Sequence, residues 1–134
     1  MTRLLPSTTD LLLGILRPAL TGATVANLIP ARMPLPFVLA RRVGGSSTDP
    51  RFLDRAIVDV STWADSDRAA EDLAEDARTA LVLAWQQQTV VAGVGSIGRF
   101  IELEGPILLP SDDDPDGVYR YQATYEITGR PLPS

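Results

Sequence analysis

The sequence predicts an α+β fold: a mostly antiparallel sheet of four to five strands with two helices packed on one face. Residues 55–81 pass from a strand of alternating character almost directly into a long alanine-rich helix, and residues 118–128 alternate as a second clear strand. The predicted order is α-β-β-β-α-β-β, without the repeated alternation of single strands and helices that favours a parallel sheet. We expect residues 1–134 to form a single domain.

The first helix is predicted from a capping pattern and a single apolar stripe. Ser7 can cap its start, and Asp10 stands three residues later, as in a capping box. Pro18 predicts a kink near its end. The stripe consists of Leu12, Ile15, Leu16, Ala19 and Leu20. This amphipathic pattern explains the apolar run at residues 11–16 better than a secretory signal does, and no segment approaches the ~20 apolar residues of a membrane span.

Two strands are expected before residue 55. Residues 24–29 are predicted to form a short strand closed by Pro30, and residues 37–43 a strand that begins after Pro34 and Pro36. Residues 44–51, GGSSTDPR, have the composition of a flexible connection between antiparallel strands.

The third strand and the second helix form the most regular part of the sequence. Alternation places four residues on one face of the strand: Ala56, Val58, Val60 and Thr62. Asp65, Ser66 and Asp67 can cap the following helix. Its apolar stripe comprises Ala70, Leu73, Ala74, Ala77, Ala80, Leu81, Ala84 and Trp85. Because most of these residues are alanine, we expect the helix to lie close against the sheet.

Two further strands complete the predicted sheet. The fourth covers residues 96–104 and is expected to end at Gly105 and Pro106. Residues 107–117 are predicted to form a long loop, first apolar and then acidic, of a length that usually binds something or is disordered. The fifth strand covers residues 118–128 and has an aromatic face with Tyr119, Tyr121 and Tyr125.

The composition excludes most familiar catalytic chemistry. The chain has no histidine and no cysteine, so it lacks the commonest general base, the commonest zinc ligand and a thiolate nucleophile. Carboxylate or arginine chemistry remains possible, but we expect the protein not to be an enzyme. The net charge of -5 argues against a general nucleic-acid binder and against adhesion to an anionic membrane.

A glycine motif resembles a nucleotide site without the required context. Gly93, Gly95 and Gly98 spell G-x-G-x-x-G, which in a dinucleotide site follows a strand and opens a helix. Here a predicted helix precedes the glycines and a strand follows them. We therefore expect no cofactor.

An acidic segment resembles half of a calcium loop. Asp112, Asp114 and Asp116 alternate as calcium ligands do, but Ala123 stands where the bidentate glutamate is required. We predict no metal ligands here. Together with Asp113, these residues are instead a candidate loop for contact with a partner.

Aromatic residues and arginines have less specific interpretations. Trp63 and Trp85 are expected in the core rather than as a ligand-stacking pair. The tyrosines of the last strand are expected in the core or a subunit interface, because a base-stacking platform needs basic flanks and the adjoining loop is acidic. Arg41, Arg42 and Arg55 are candidate inter-subunit contacts, with solvated ion pairs as the alternative.

The whole pattern resembles the tail terminator proteins of long-tailed bacteriophages, also called tail-completion or head-tail joining proteins. The resemblance covers most of the chain. It rests on the N-terminal helix, the short strand ending at Ile29 and Pro30, and the strand after PLPF. It also rests on V-D-V-S-T-W before an alanine-rich helix with Leu73, Ala77, Arg78 and Leu81, and on the final strand Y-R-Y-Q-A-T-Y-E-I.

The resemblance implies a structural virion protein rather than an enzyme. Such proteins form a ring, expected to be a hexamer, that caps the head-proximal end of the tail tube and ends its polymerisation. The implied partners are further copies of the chain, the major tail tube protein and a neck or stopper protein. The implied location is the neck of the virion, after assembly in the host cytoplasm. DNA would pass through the lumen without specific binding, and the acidic loop would face that lumen.

Two other functions remain open from the sequence. One is a stopper or head-tail connector protein of the neck, which would bind the portal side instead of the tube. The other, from a different class, is a small α+β domain that binds a ligand or uses carboxylates as an enzyme.

Overall fold

The computed structural model describes residues 5–49, 53–110 and 117–132. Within these residues the chain forms two helices and five strands. Their bounds are α1 (Thr8–Ala19), β1 (Thr24–Ala26), β2 (Phe37–Asp49), β3 (Leu53–Ala64), α2 (Asp67–Gln86), β4 (Gly95–Leu108) and β5 (Tyr119–Pro131). This arrangement confirms the predicted α+β class and the predicted order of elements.

Serine side chains cap both helices, as the sequence predicts. The Ser7 hydroxyl accepts a hydrogen bond from the backbone N–H of Asp10 at 3.2 Å, and the Ser66 hydroxyl accepts one from Ala69 at 3.1 Å. Each bond satisfies one of the backbone donors that a helix start leaves unpaired. Pro18 lies inside the last turn of α1, and the helix ends one residue later.

The strands form one mixed sheet in the order β1-β2-β3-β5-β4. β1 runs parallel to β2, and the other three pairings are antiparallel. β1 covers only Phe37, Val38 and Leu39 of β2, so the remainder of β2 has an unpaired side. Among the described residues, that side of β2 and the outer side of β1 form one open edge of the sheet, and the outer side of β4 forms the other.

Several strand boundaries differ from the sequence expectation. β2 continues to Asp49, so the prediction of a flexible connection from residue 44 is wrong for residues 44–49. β4 continues to Leu108, so its expected end at Gly105 and Pro106 is also wrong. β1 ends at Ala26 rather than at residue 29, because the chain must turn back before it enters β2.

Cross-strand pairing explains why the glycines and the proline do not end these strands. Gly45 has a positive φ of 100°, and a Cβ there would overlap the carbonyl oxygen of Arg55 on β3. The strand therefore needs glycine at this close approach. In β4, register shifts between Glu102 and Glu104 and between Glu104 and Ile107 absorb Pro106 as bulges.

The main core lies between the helices and one face of the sheet. The alternation predicted for β3 is confirmed, because Ala56, Val58, Val60 and Thr62 are buried there. Four alanines of α2 are also buried: Ala70, Ala74, Ala77 and Ala84. The Thr62 hydroxyl donates a hydrogen bond to the carbonyl oxygen of Ala70 at 2.9 Å. This short link from the strand to the helix shows how closely α2 approaches the sheet.

Tyr121 fixes the first turn of α2 against β5. Its single O–H is shared as a donor between the carboxylates of Asp67, at 2.8 Å, and Glu71, at 3.1 Å. These hydrogen bonds, of which that to Asp67 contributes most, raise the pKa of the Tyr121 phenol because they favour its protonated form. Tyr125 is fully buried, so the expectation of core tyrosines holds for these two residues, whereas Tyr119 is 41% exposed.

A second, smaller cluster covers part of the opposite face of the sheet. Phe37, Leu39 and Trp63 are buried there beneath Met33 and Val118. Trp85 lies elsewhere and stacks on Phe100. The tryptophans are therefore packing residues and do not form a ligand-stacking pair.

The core packing predicts different effects for two leucines of α2. Leu81 is fully buried, so Leu81→Ala should lower the free energy of unfolding by about 2 to 5 kcal/mol. Leu83 on the same helix is 44% exposed, so Leu83→Ala should lower it by less than about 1 kcal/mol. Chemical denaturation of both variants measures the difference, and equal losses would contradict the described orientation of α2.

Candidate assembly surface

The sheet face opposite the helices, here called the open face, carries a polar row that runs from edge to edge. Arg41 on β2 pairs in register with Asp59 on β3, which pairs with Thr124 on β5, which pairs with Glu104 on β4. Directly opposed residues of antiparallel strands share a face, so all four side chains belong to the open face. The Thr124 hydroxyl donates to Asp59 at 2.8 Å, which fixes the centre of the row.

The next row of the open face is an internal hydrogen-bond network. The Ser61 hydroxyl donates to the Gln122 side-chain oxygen at 3.1 Å, and Arg120 donates to the same oxygen at 2.9 Å. The Arg120 guanidinium also lies 4.9 Å from the centre of the Trp63 ring. These contacts give the charge of Arg120 partners inside the subunit.

The three arginines that the sequence suggests as inter-subunit contacts differ in their surroundings in the structure. Arg42 forms an ion pair with the buried carboxylate of Asp54 at 2.6 Å. Arg55 forms an ion pair with Glu126 at 3.1 Å. Arg41 is exposed and has no hydrogen bond or ion pair within residues 5–49, 53–110 and 117–132. Of the three, only Arg41 has no ion pair in the part of the chain that the structure describes, which leaves its charge available for another molecule.

The predicted acidic loop, with Asp112, Asp113, Asp114 and Asp116, lies outside the described residues. The structure shows where it leaves the sheet, because the backbone N–H of Leu109 donates to the carbonyl oxygen of Arg120 at 2.8 Å. The loop therefore connects the end of β4 to the start of β5. In the part of the chain that the structure describes, acidic residues form no group of three or more that could hold a metal ion.

The outer edge of β4 is long but irregular. Its pairing with β5 shifts register at three places, and Pro106 has no backbone N–H to donate. The charged residues Arg99, Glu102 and Glu104 add to this protection. Bulges, proline and charges are the features by which exposed edges resist continuous pairing with another strand.

Exposed apolar residues lie at the end of the sheet where β2 and β5 begin and in the segment 27–36 that leads into β2, here together called the lower end. Phe37, Trp63 and Arg120 lie in register across this end, and the segment 27–36 leads into it. The exposed residues are Leu28, Ile29, Leu35, Ile107, Leu108 and Tyr119. Sequence reasoning missed this patch, because it placed Leu28 and Ile29 inside a strand that in the structure ends at Ala26.

Exposed apolar residues beside open sheet edges are features of proteins that assemble with other chains. The sequence matches the model of the phage tail termination proteins over residues 4–132. The chain therefore belongs to this family, and it is a structural protein of the phage tail that assembles with other tail components in the virion.

The other comparisons with known proteins add little to this family assignment. No curated protein matches the chain. One chain of the solved virion of a native gene transfer agent (GTA) particle is 18% identical in sequence, with a TM-score of 0.40. The similarity covers 87% of this chain and 84% of that chain. Neither helix of the described residues has the length and apolar character that crossing a membrane requires.

A matched pair of substitutions can test whether Arg42 stabilises the subunit through its ion pair while Arg41 does not. Arg42→Ala should lower the free energy of unfolding by roughly 1 to 3 kcal/mol, because it leaves the buried Asp54 carboxylate without its charged partner. Arg41→Ala should change it by less than about 0.5 kcal/mol, because Arg41 is exposed. Urea denaturation measures both, and a larger loss for Arg41→Ala would contradict the assignment.

Proposed function

We propose that this protein forms a ring, most simply a hexamer, on the head-proximal end of the tail tube. The ring ends polymerisation of the tube and joins the tail to the head through a neck protein. The main support for this proposal is the family match, which spans residues 4–132 and thus nearly all of the chain. We propose that this span acts as one domain in the ring.

The proposed ring needs three kinds of contact. Each copy meets the next copy around the ring, one surface meets the major tail tube protein, and another meets a neck or stopper protein. The open edges of the sheet are candidates for the first contact. The exposed apolar residues of the lower end, such as Leu28 and Ile29, supply a surface for one of the other two.

The charge of the chain suits passage of DNA through the ring. The net charge is -5, and the acidic loop contributes Asp112, Asp113, Asp114 and Asp116. A lumen lined by carboxylates repels DNA phosphates, so the genome slides without being held. We place this loop at the lumen, and we place the ring at the neck of the virion after assembly in the host cytoplasm.

A mixing experiment tests the proposed position in the virion. Purified protein is added separately to tail tubes and to DNA-filled heads, and both are imaged by negative-stain electron microscopy. We expect density at one end of each tube and arrest of further tube growth. Binding to filled heads alone would contradict the terminator role and support the alternative of a stopper or head-tail connector.

A pair of substitutions tests the role of the lower end. Leu28→Asp places a charge within the exposed apolar surface, so we expect it to reduce either tube capping or neck joining. The control is Leu83→Asp, which changes an exposed leucine on α2, away from that end. Equal activity of the two variants in both assays would remove the lower end from the proposed contacts.

A further inference from the structure

The polar row of the open face places opposite charges at opposite edges of the sheet. Arg41 stands at the β2 edge and Glu104 at the β4 edge, in register through Asp59 and Thr124. Three strand spacings separate them, about 14 Å, so they cannot pair within one subunit. Both are exposed and lack a hydrogen bond or ion pair within the described residues. Among the described residues, each edge therefore presents a charge without an ion-pair partner at the same level of the sheet.

The two edges are also complementary in direction and in apolar character. β2 and β4 run antiparallel to each other, because three successive antiparallel pairings link them. Each edge has a bulged apolar residue near its charge: Val43 stands two positions after Arg41, and Leu103 stands one position before Glu104. These two residues are about equally exposed, Val43 at 49% and Leu103 at 51%. When the edges are placed side by side in antiparallel orientation, Val43 lies beyond Arg41 in the direction in which β2 runs. Leu103 lies beyond Glu104 in that same direction.

From this complementarity we infer that the β2 edge of one copy contacts the β4 edge of the next copy. Arg41 forms an inter-subunit ion pair with Glu104, and Val43 packs against Leu103. The inference rests on the ring proposed above and identifies the surfaces that close it. The partner at both edges is a second copy of this chain.

Side chains rather than a continuous backbone ladder define this contact. The three register shifts of β4 and the missing N–H of Pro106 interrupt the donors and acceptors that a ladder needs. An ion pair in such a contact sets register and suppresses wrong pairings. Because the two charges lie at the same level, successive copies add without a step along the strands. That geometry favours a closed ring over an open helix.

Other charged residues at the edges do not offer the same match. Arg42 at the β2 edge is paired inside the subunit with Asp54, and Arg55 on the neighbouring strand β3 is paired with Glu126. Arg99 stands on β4 opposite Thr128 of β5, which pairs with Arg55 of β3. That row has arginines at two of its strands and no carboxylate, so two copies would meet there without a counter-charge.

Charge exchange tests the inferred contact. We measure the fraction of tail-tube ends capped as a function of protein concentration, by negative-stain electron microscopy. R41E and E104R should each need at least about tenfold more protein for half-occupancy, because each places like charges at every junction. The double variant R41E/E104R restores opposite charges at every junction, so it should cap tubes as the wild type does.

A mixture of the two single variants gives an independent test. When R41E and E104R copies alternate around a ring, every junction again holds one arginine and one glutamate. An equimolar mixture should therefore recover capping that neither variant shows alone. A ring in which the two variants alternate can close only if it has an even number of subunits, as the proposed hexamer has.

The control variant is R68E, which reverses an exposed charge on α2 and should cap tubes normally. Equal melting temperatures of all variants exclude unfolding, since Arg41 and Glu104 are exposed. Normal capping by R41E, or loss of capping that neither the double variant nor the mixture recovers, would overturn the edge contact while the proposed ring stands. Failure of the wild type to cap tubes would overturn the proposed function and, with it, the edge contact.

Discussion

The close packing of the alanine stripe of α2 against β3 and β5 is the interaction on which the rest of the structure depends. Buried alanines let the helix lie flat on the sheet, and the hydrogen bond from Thr62 to Ala70 fixes its first turns. Arg78 then ties the helix to Glu102 on β4 at 2.7 Å. With both helices on one face, the other face and two sheet edges remain available to other chains.

Local patterns in the sequence are sufficient to predict this helix layer. Serine caps, the alternation of residues 56–62 and the stripe of α2 all act over short separations, and the structure confirms them. The lengths of β2 and β4 could not be predicted in the same way. Gly45 and Pro106 are normally stop signals, but pairing with distant strands holds them inside the sheet.

Whether each arginine can contact another chain likewise depends on ion pairs between residues that are far apart in the sequence. Sequence reasoning groups Arg41, Arg42 and Arg55, whereas Arg42 and Arg55 find carboxylates 12 and 71 positions away in the folded chain. Nothing near Glu104 in the sequence marks it as a contact residue. Only the pairing of the strands shows that it lies in the same row as Arg41, at the opposite edge of the sheet. The family of the chain could be predicted from the overall pattern, but the surface that serves assembly could not.

Hydrogen exchange of the protein, free and bound to tail tubes, tests most directly the claim that the helices stabilise the subunit while the sheet edges assemble it. Local opening governs exchange, so contacts made at an edge slow it there. The account predicts added protection in peptides that contain Arg41–Val43 and Leu103–Glu104, with little change in α2. Added protection confined to α1 and α2, with both edges unchanged, would contradict it.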